Sequence, residues 1–202
     1  MPARFLAELA TPEVVAAQER YAGRAFPMVH AESRDRLGAA EAEFISERDS
    51  LYMASVSSNG WPYVQHRGGP AGFVKVIDEQ TLAFPDFRGN RQLISTGNLA
   101  GDGRVALILV DYPSRTRLKV LGYARIVDAT EDRPLANRIG AAGLGRKVER
   151  LVTIDVVAFD WNCPAYITPR YTIAQIEELV APLKRRIAEL EVEIAKRSQQ
   201  SA

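Results

Sequence analysis

The chain has 202 residues, 47% of them hydrophobic and 25% charged, with a net charge of +1. That length fits one domain with appendages or two small ones, and the composition excludes disordered, collagenous and disulfide-scaffold classes. So balanced a charge excludes coating of nucleic acid by bulk charge, and a lone cysteine, Cys163, excludes an intramolecular disulfide.

Two helices are predicted first. Thr11-Pro12-Glu13 supplies a capping hydroxyl, a proline for the first helical position and a first-turn acid, so a helix should run to about Gly23. Between Arg34 and Glu47, Leu37, Ala40, Phe44 and Ile45 recur at steps that give a second helix one buried face. From Ser50 the period changes. Leu51–Val56 leads into Asn59-Gly60, a hairpin signal because both turn positions favour φ > 0, and a second strand should start at Trp61 and run through Tyr63, Val64, Gln65 and His66. Phe73–Ile77 and Thr81–Phe84 form a second hairpin. A short helix is expected near Arg91–Asn98, then two long strands, Arg104–Val110 and Thr116–Val127, and a last strand at Leu151–Phe159. Antiparallel strands without βαβ alternation argue for a barrel or sandwich. The glycine-rich stretches at 68–72 and 141–145 match neither a dinucleotide fingerprint nor a P-loop.

Thr172-Ile173-Ala174-Gln175 is a capping box that opens a helix to about Arg197. Its apolar residues Ile173, Ile176, Val180, Leu183, Ile187, Leu190 and Ile194 form a heptad seam. Pro182 predicts a kink near Val180, which argues against one straight coiled coil. The stripe packs either on its own barrel or against a second chain. No apolar run reaches a membrane-spanning length of about 18 residues and no signal peptide is read, so the expected location is cytoplasmic.

Charge is unevenly placed: residues 1–60 carry −3, residues 61–125 carry +4 and residues 126–202 carry 0. His30 and His66 are far apart and no CxxC or HExxH spacing occurs, so no bound metal is expected. Cys163 lacks the marks of an activated nucleophile and reads as a packed cysteine. Three segments concentrate site-like chemistry. His66-Arg67-Gly68-Gly69 ends a strand with polar side chains and small residues that let backbone amides approach an anion. Arg88-Gly89-Asn90-Arg91 closes another strand before a helix, where arginines and free amides can converge on one phosphate. Arg115, Arg117 and Lys119 alternate on one strand face, which fits either a solvated hairpin edge or a ligand wall. Trp161 fits either the core or a stack on a planar ring.

The strings Gly60-Trp61-Pro62-Tyr63-Val64-Gln65-His66-Arg67-Gly68-Gly69-Pro70, Arg88-Gly89-Asn90-Arg91, Arg104-Val105-Ala106-Leu107 and Phe159-Asp160-Trp161-Asn162-Cys163-Pro164 resemble the pyridoxamine 5′-phosphate oxidase-like family, and in particular its flavin-nucleotide-binding branch. The resemblance covers residues 40–171. It implies a mainly β protein with flanking helices: a six-stranded antiparallel split β-barrel at 49–171, an N-terminal helical segment at 1–48 packed on it, and a C-terminal amphipathic helix at 172–202, one structural domain overall. It further implies a homodimer that binds FMN in two equivalent clefts at the subunit interface. Carried over by position, Gln65, His66 and Arg67 hold FMN from the strand, Arg88, Asn90 and Arg91 grip its phosphate, Arg117 faces the flavin, and Trp161 and Arg170 come from the partner subunit. Asn90-Arg91 departs from the family's Arg-Lys in that turn. Tyr166-Ile167-Thr168 stands where vitamin B6 oxidases carry Arg-x-His, so the implied function is an FMN flavoprotein without that substrate, an oxidoreductase passing electrons between reduced nicotinamide and a small acceptor. The alternatives are a non-catalytic flavin carrier or sensor, a haem-binding barrel using His66 as axial ligand, and a nucleic-acid-binding barrel.

Overall fold

Alternating and continuous apolar runs place seven strands in one antiparallel sheet: β1 (Ser50–Val56), β2 (Pro62–Gly68), β3 (Lys75–Asp78), β4 (Thr81–Phe87), β5 (Arg104–Asp111), β6 (Thr116–Asp128) and β7 (Val148–Asn162), in the order β2-β1-β5-β6-β7-β4-β3. The computed structural model describes residues 3–26, 33–144, 148–162 and 164–200; His30 and Cys163 lie outside them. The strands number seven rather than the six that the resemblance implies, and they correspond to the seven extended segments read along the sequence, with the segment expected at Phe73–Ile77 forming β3 against β4. The sheet is not a closed barrel: its end strands β2 and β3 do not pair with each other. It curls nonetheless, since Arg67 on β2 reaches Asp86 on β4 at 2.5 Å although four strands separate them in sheet order.

One face of β1 and β5–β7 supplies the core. Leu51, Met53, Leu107, Leu109, Leu118, Val120, Val152 and Ile154 are buried with Phe73 and Phe84, whose rings meet edge to face at 6.1 Å. Each such side chain contributes roughly 1.5–3 kcal/mol by leaving water. β4 is buried on both faces from Leu82 to Asp86, and β7 from Val156 to Ala158. Ile139 and Ala141 cover Ala83 and Leu151 on one side, and Phe5 covers Val157 and Ala158 on the other. β7 bulges at Val157, which is skipped where the pairing with β6 passes from Leu121–Ala158 to Gly122–Val156. A Cβ at Gly122 would lie 2.7 Å from the Asp155 carbonyl oxygen and 2.7 Å from Ile154 Cγ2, neither able to withdraw from the ladder. Gly122→Ala is therefore expected to cost about 2–3 kcal/mol, read as a lower urea midpoint at unchanged slope.

The helices are α1 (Ala3–Leu9), α2 (Pro12–Ala22), α3 (Ala39–Ser46), α4 (Ile94–Gly101), α5 (Arg133–Arg138) and α6 (Ile173–Gln200). α2 follows its sequence signals, with Thr11 Oγ1 accepting from Val14 N–H and Gly23 at φ +72 ending it. α3 starts five residues later than the periodicity predicts, because Asp35 and Leu37 donate their amides to Val157 and Glu79 and are spent on that extended pairing. The first hairpin turns over Ser57–Gly60 with only Gly60 at positive φ, so β2 begins at Pro62, one residue later than expected.

The chain divides into two compact units, residues 1–111 with 116–164, and residues 112–115 with 165–202. In the second unit the capping box forms, the Thr172 amide donating to Gln175 Oε1 at 2.9 Å and the Gln175 amide to Thr172 Oγ1 at 3.2 Å. α6 runs through Pro182 without interruption. No helix among the described residues is long and apolar enough to cross a membrane.

Candidate functional site

The pleat of β2 sends Tyr63, Gln65 and Arg67 to the face that Leu51 and Met53 occupy on β1, since Leu51 pairs with Arg67 and Met53 with Gln65. Among the described residues no further strand covers them at this edge. The end of β4, the turn into α4 and the start of β7 close the opposite side, forming a cleft of about 220 Å³ whose walls include Gln65, Arg67, Asp86, Asn90, Arg91 and Arg150.

Two carboxylates hold four guanidiniums there. Asp86, only 4% exposed, accepts from Arg67 at 2.5 Å through one oxygen and from Arg150 Nε at 2.9 Å through the other. Glu149 lies 3.2 Å from the Arg91 guanidinium, 3.8 Å from Arg88 Nε and 3.4 Å from Arg150. Four cations against two anions leave an excess of two positive charges. Arg67 Nε is buried with no hydrogen-bond partner among the described residues, so this guanidinium is fixed by Asp86 yet retains an uncommitted donor.

The turn completes the wall. Arg91 and Leu93 adopt left-handed φ of 62 and 53, which ends any helix there and shifts α4 to Ile94, three residues beyond the predicted start. The Gln92 amide donates to Asn90 Oδ1 at 3.1 Å and steadies the turn. Leu93 offers no side-chain cap, and the first helical bond runs from Gly97 to Leu93. The amides of Ile94, Ser95 and Thr96 therefore have no intrahelical acceptor, and all three residues line the cleft. Positive helix-end charge, left-handed backbone and arginines together make an anion seat. At the far end of α4, hydrogen bonds from Arg104 hold the exposed Asp102 carboxyl down to about 2, so that clamp stays charged through the ordinary pH range.

Of the residues singled out in the sequence, Gln65, Arg67, Asn90 and Arg91 line this cleft and Arg88 stands at its rim against Glu149. His66 does not. It projects from the other face of β2, its ring 5.4 Å from Tyr52. Arg117 also lies on that opposite face, opposite Val110 and next to inward Leu118, with its Nε buried and unpartnered. Trp161 packs edge to face on Phe44 at 4.8 Å and donates its indole N–H to Glu41 at 2.7 Å, so the core alternative describes its place within the protomer. Arg170 belongs to the second unit, where its guanidinium stands 5.1 Å from the Tyr112 ring centre.

Sequence reasoning missed Glu149, Arg150, Tyr63 and the carboxylate role of Asp86. Asp86 pairs with Arg150 in the β4–β7 ladder, so complementary charges facing each other in an antiparallel pair were the available signal. A second hollow of about 490 Å³ lies beyond Thr96 and Arg150, between Leu99 and Ile126. Asp128 and Glu131 on its wall are matched by Arg125 and Arg150, so it lacks the excess of positive charge that marks the first cleft. Among the described residues no group of His, Cys, Asp and Glu is arranged to hold a metal ion.

The class of protein defined here is a small, mainly β protein built on an open, curled antiparallel sheet, with an arginine-lined cleft at the sheet edge. Residues 37–160 match the family model for pyridoxamine 5′-phosphate oxidase. The chain belongs to the pyridoxamine 5′-phosphate oxidase family. Among solved structures it is similar to HupZ of Group A Streptococcus (15% identity, 61% of this chain and 91% of that one, TM-score 0.46). It is also similar to the General Stress Protein 26 of Bacillus anthracis (14%, 59% and 88%, 0.45) and to the heme storage protein HutZ of Vibrio cholerae (18%, 60% and 90%, 0.41). No curated protein matches the chain.

Proposed function

We propose that the cleft seats the phosphate of FMN and that the protein is a flavoprotein oxidoreductase, passing electrons between reduced nicotinamide and a small acceptor. The observation that carries this reading is the convergence of Arg67, Arg91 and Arg150 with the three α4 amides that lack an intrahelical acceptor, under an excess of two positive charges. A phosphate monoester dianion matches that charge and accepts from several donors at once. Family membership supports the flavin as the rest of the ligand. When bound, the flavin supplies the redox chemistry, and the chain's own residues bind, orient and shield it.

Size supports a site completed by a second copy. Ligand pockets commonly enclose about 300–1,000 Å³, and a cleft of about 220 Å³ takes the phosphate end only. The ring system then lies against another surface. The outward face of β1 and β2 presents Tyr52, Val56 and Val64, the last 62% exposed, on the side that also carries His66 and Arg117. In this reading that face packs against a second protomer in a split-barrel homodimer, and the outward-facing residues meet the cofactor there.

Glu149 occupies guanidiniums that the phosphate needs, so it acts as a resident competitor. Glu149→Gln keeps the shape and removes the charge. It is expected to tighten FMN about threefold to tenfold in a fluorescence-quenching titration at fixed ionic strength, the gain being moderated by solvent screening of exposed Arg88 and Arg91. Weaker binding in that variant would show that the carboxylate positions the arginines instead.

A further inference from the structure

We propose that α6 forms a parallel two-stranded coiled coil with α6 of a second copy of this chain. This goes beyond the flavin site and does not depend on it. α6 has 28 residues, about 42 Å of helix at 1.5 Å per residue. Along it most seam side chains stay open to solvent, Ile173 at 77% exposure, Leu183 at 63%, Ile187 at 55% and Ile194 at 64%, while Val180 is half-buried. An apolar stripe of this length left in water is a binding surface.

Its chemistry specifies the occupant. With Ile173 at heptad position a, the a sites are Ile173, Val180, Ile187 and Ile194, all β-branched, and the d sites are Leu183 and Leu190 in the centre, flanked by Ile176 in the first turn and Arg197 in the last. β-branched residues at a with leucine at d favour two parallel strands. The flanking charges agree. In a parallel pair Arg186 at g faces Glu191 at e of the second copy, and no like-charged g–e pair arises along the seam. An antiparallel pair at full overlap instead sets Lys184 against Lys184, Arg186 against Arg186 and Glu177 against Glu191. Each antiparallel register that relieves these contacts is offset by one heptad and takes one end of the seam out of contact, Ile194 in one direction and Ile173 with Ile176 in the other. Leu179 at g, 63% exposed, widens the apolar face beside the aliphatic stem of Lys184.

Pro182 falls at position c, away from the seam, and the helix continues through it. The lost amide and any bend it causes therefore lie on the outward side. The kink expected from the sequence does not remove the a and d residues on either side from one face.

The test uses the full-length chain in a Cys163→Ser background. In a parallel pair, identical d residues face each other within disulfide reach. Leu190→Cys is expected to form a covalent dimer under mild oxidation at least tenfold faster than Glu189→Cys, which places its thiol at outward position c. Ile187→Asp, on an exposed helix face where folding of the remainder is untouched, is expected to weaken self-association at least tenfold in sedimentation. Equal cross-linking at 189 and 190 in a protein that still sediments as a dimer would overturn the coiled coil and leave the sheet-mediated dimer standing. A monomer at tens of micromolar would overturn both.

Discussion

Asp86→Asn is expected to lower stability by about 3–5 kcal/mol, the largest effect of any single substitution in the site. Asp86 is the only carboxylate touching Arg67 in the network described, and it also bonds Arg150 through two guanidinium nitrogens. All three side chains are largely withdrawn from water, at 5%, 18% and 16% exposure for Asp86, Arg67 and Arg150. Asparagine preserves the shape but removes the charge, so two buried guanidiniums face each other with only Glu149 left beside Arg150. For a chain of this size each kcal/mol moves the melting temperature by roughly 2–4 °C, and a fall of about 10 °C is expected in calorimetry. Inorganic phosphate should return part of it by binding the folded state. A fall of less than 2 °C would mean that the network does not hold β2 against β4.

Arg67→Ala is expected to weaken FMN about 30-fold while leaving riboflavin unaffected. A hydrogen bond to a charged group contributes about 1.5–3 kcal/mol, and 1.4 kcal/mol is tenfold in affinity. Arg67 is the guanidinium with the least freedom to lose, being anchored by Asp86 and carrying an orphaned Nε. Arg91, with a side chain 60% exposed, should matter less, about threefold to tenfold on replacement by alanine. Because Asp86 keeps Arg150 in Arg67→Ala, the fold is preserved and the loss reads on binding. Equal loss of FMN and riboflavin would place Arg67 at the ring rather than at the phosphate.

The strands of this protein were legible because β1, β5 and β6 alternate over one buried face and because turn residues separate them. The caps at Thr11 and Thr172 were legible for the same local reason. What escaped was set at long range or by backbone conformation. Left-handed Arg91 and Leu93 moved α4 three residues along, and helix-compatible side chains give no warning of that. Asp35 and Leu37 look helical by spacing, yet bond to residues more than forty positions away. Site residues Gln65, Arg67, Asn90 and Arg91 could be found locally, but Glu149 and Arg150 reach the cleft only through the β4–β7 register. Strand parity places His66 on the face opposite its neighbours Gln65 and Arg67. The excess of basic residues in the central third had a local basis: Arg67, Arg88 and Arg91 come from it, and the fourth guanidinium enters from β7.

The most direct measurement is titration of the purified full-length protein with FMN and with riboflavin, followed by quenching of flavin fluorescence. The expected result is one FMN per chain, bound at least tenfold more tightly than riboflavin, with the difference shrinking as salt screens the arginines. Equal affinity for the two flavins, or no binding of either, would contradict it.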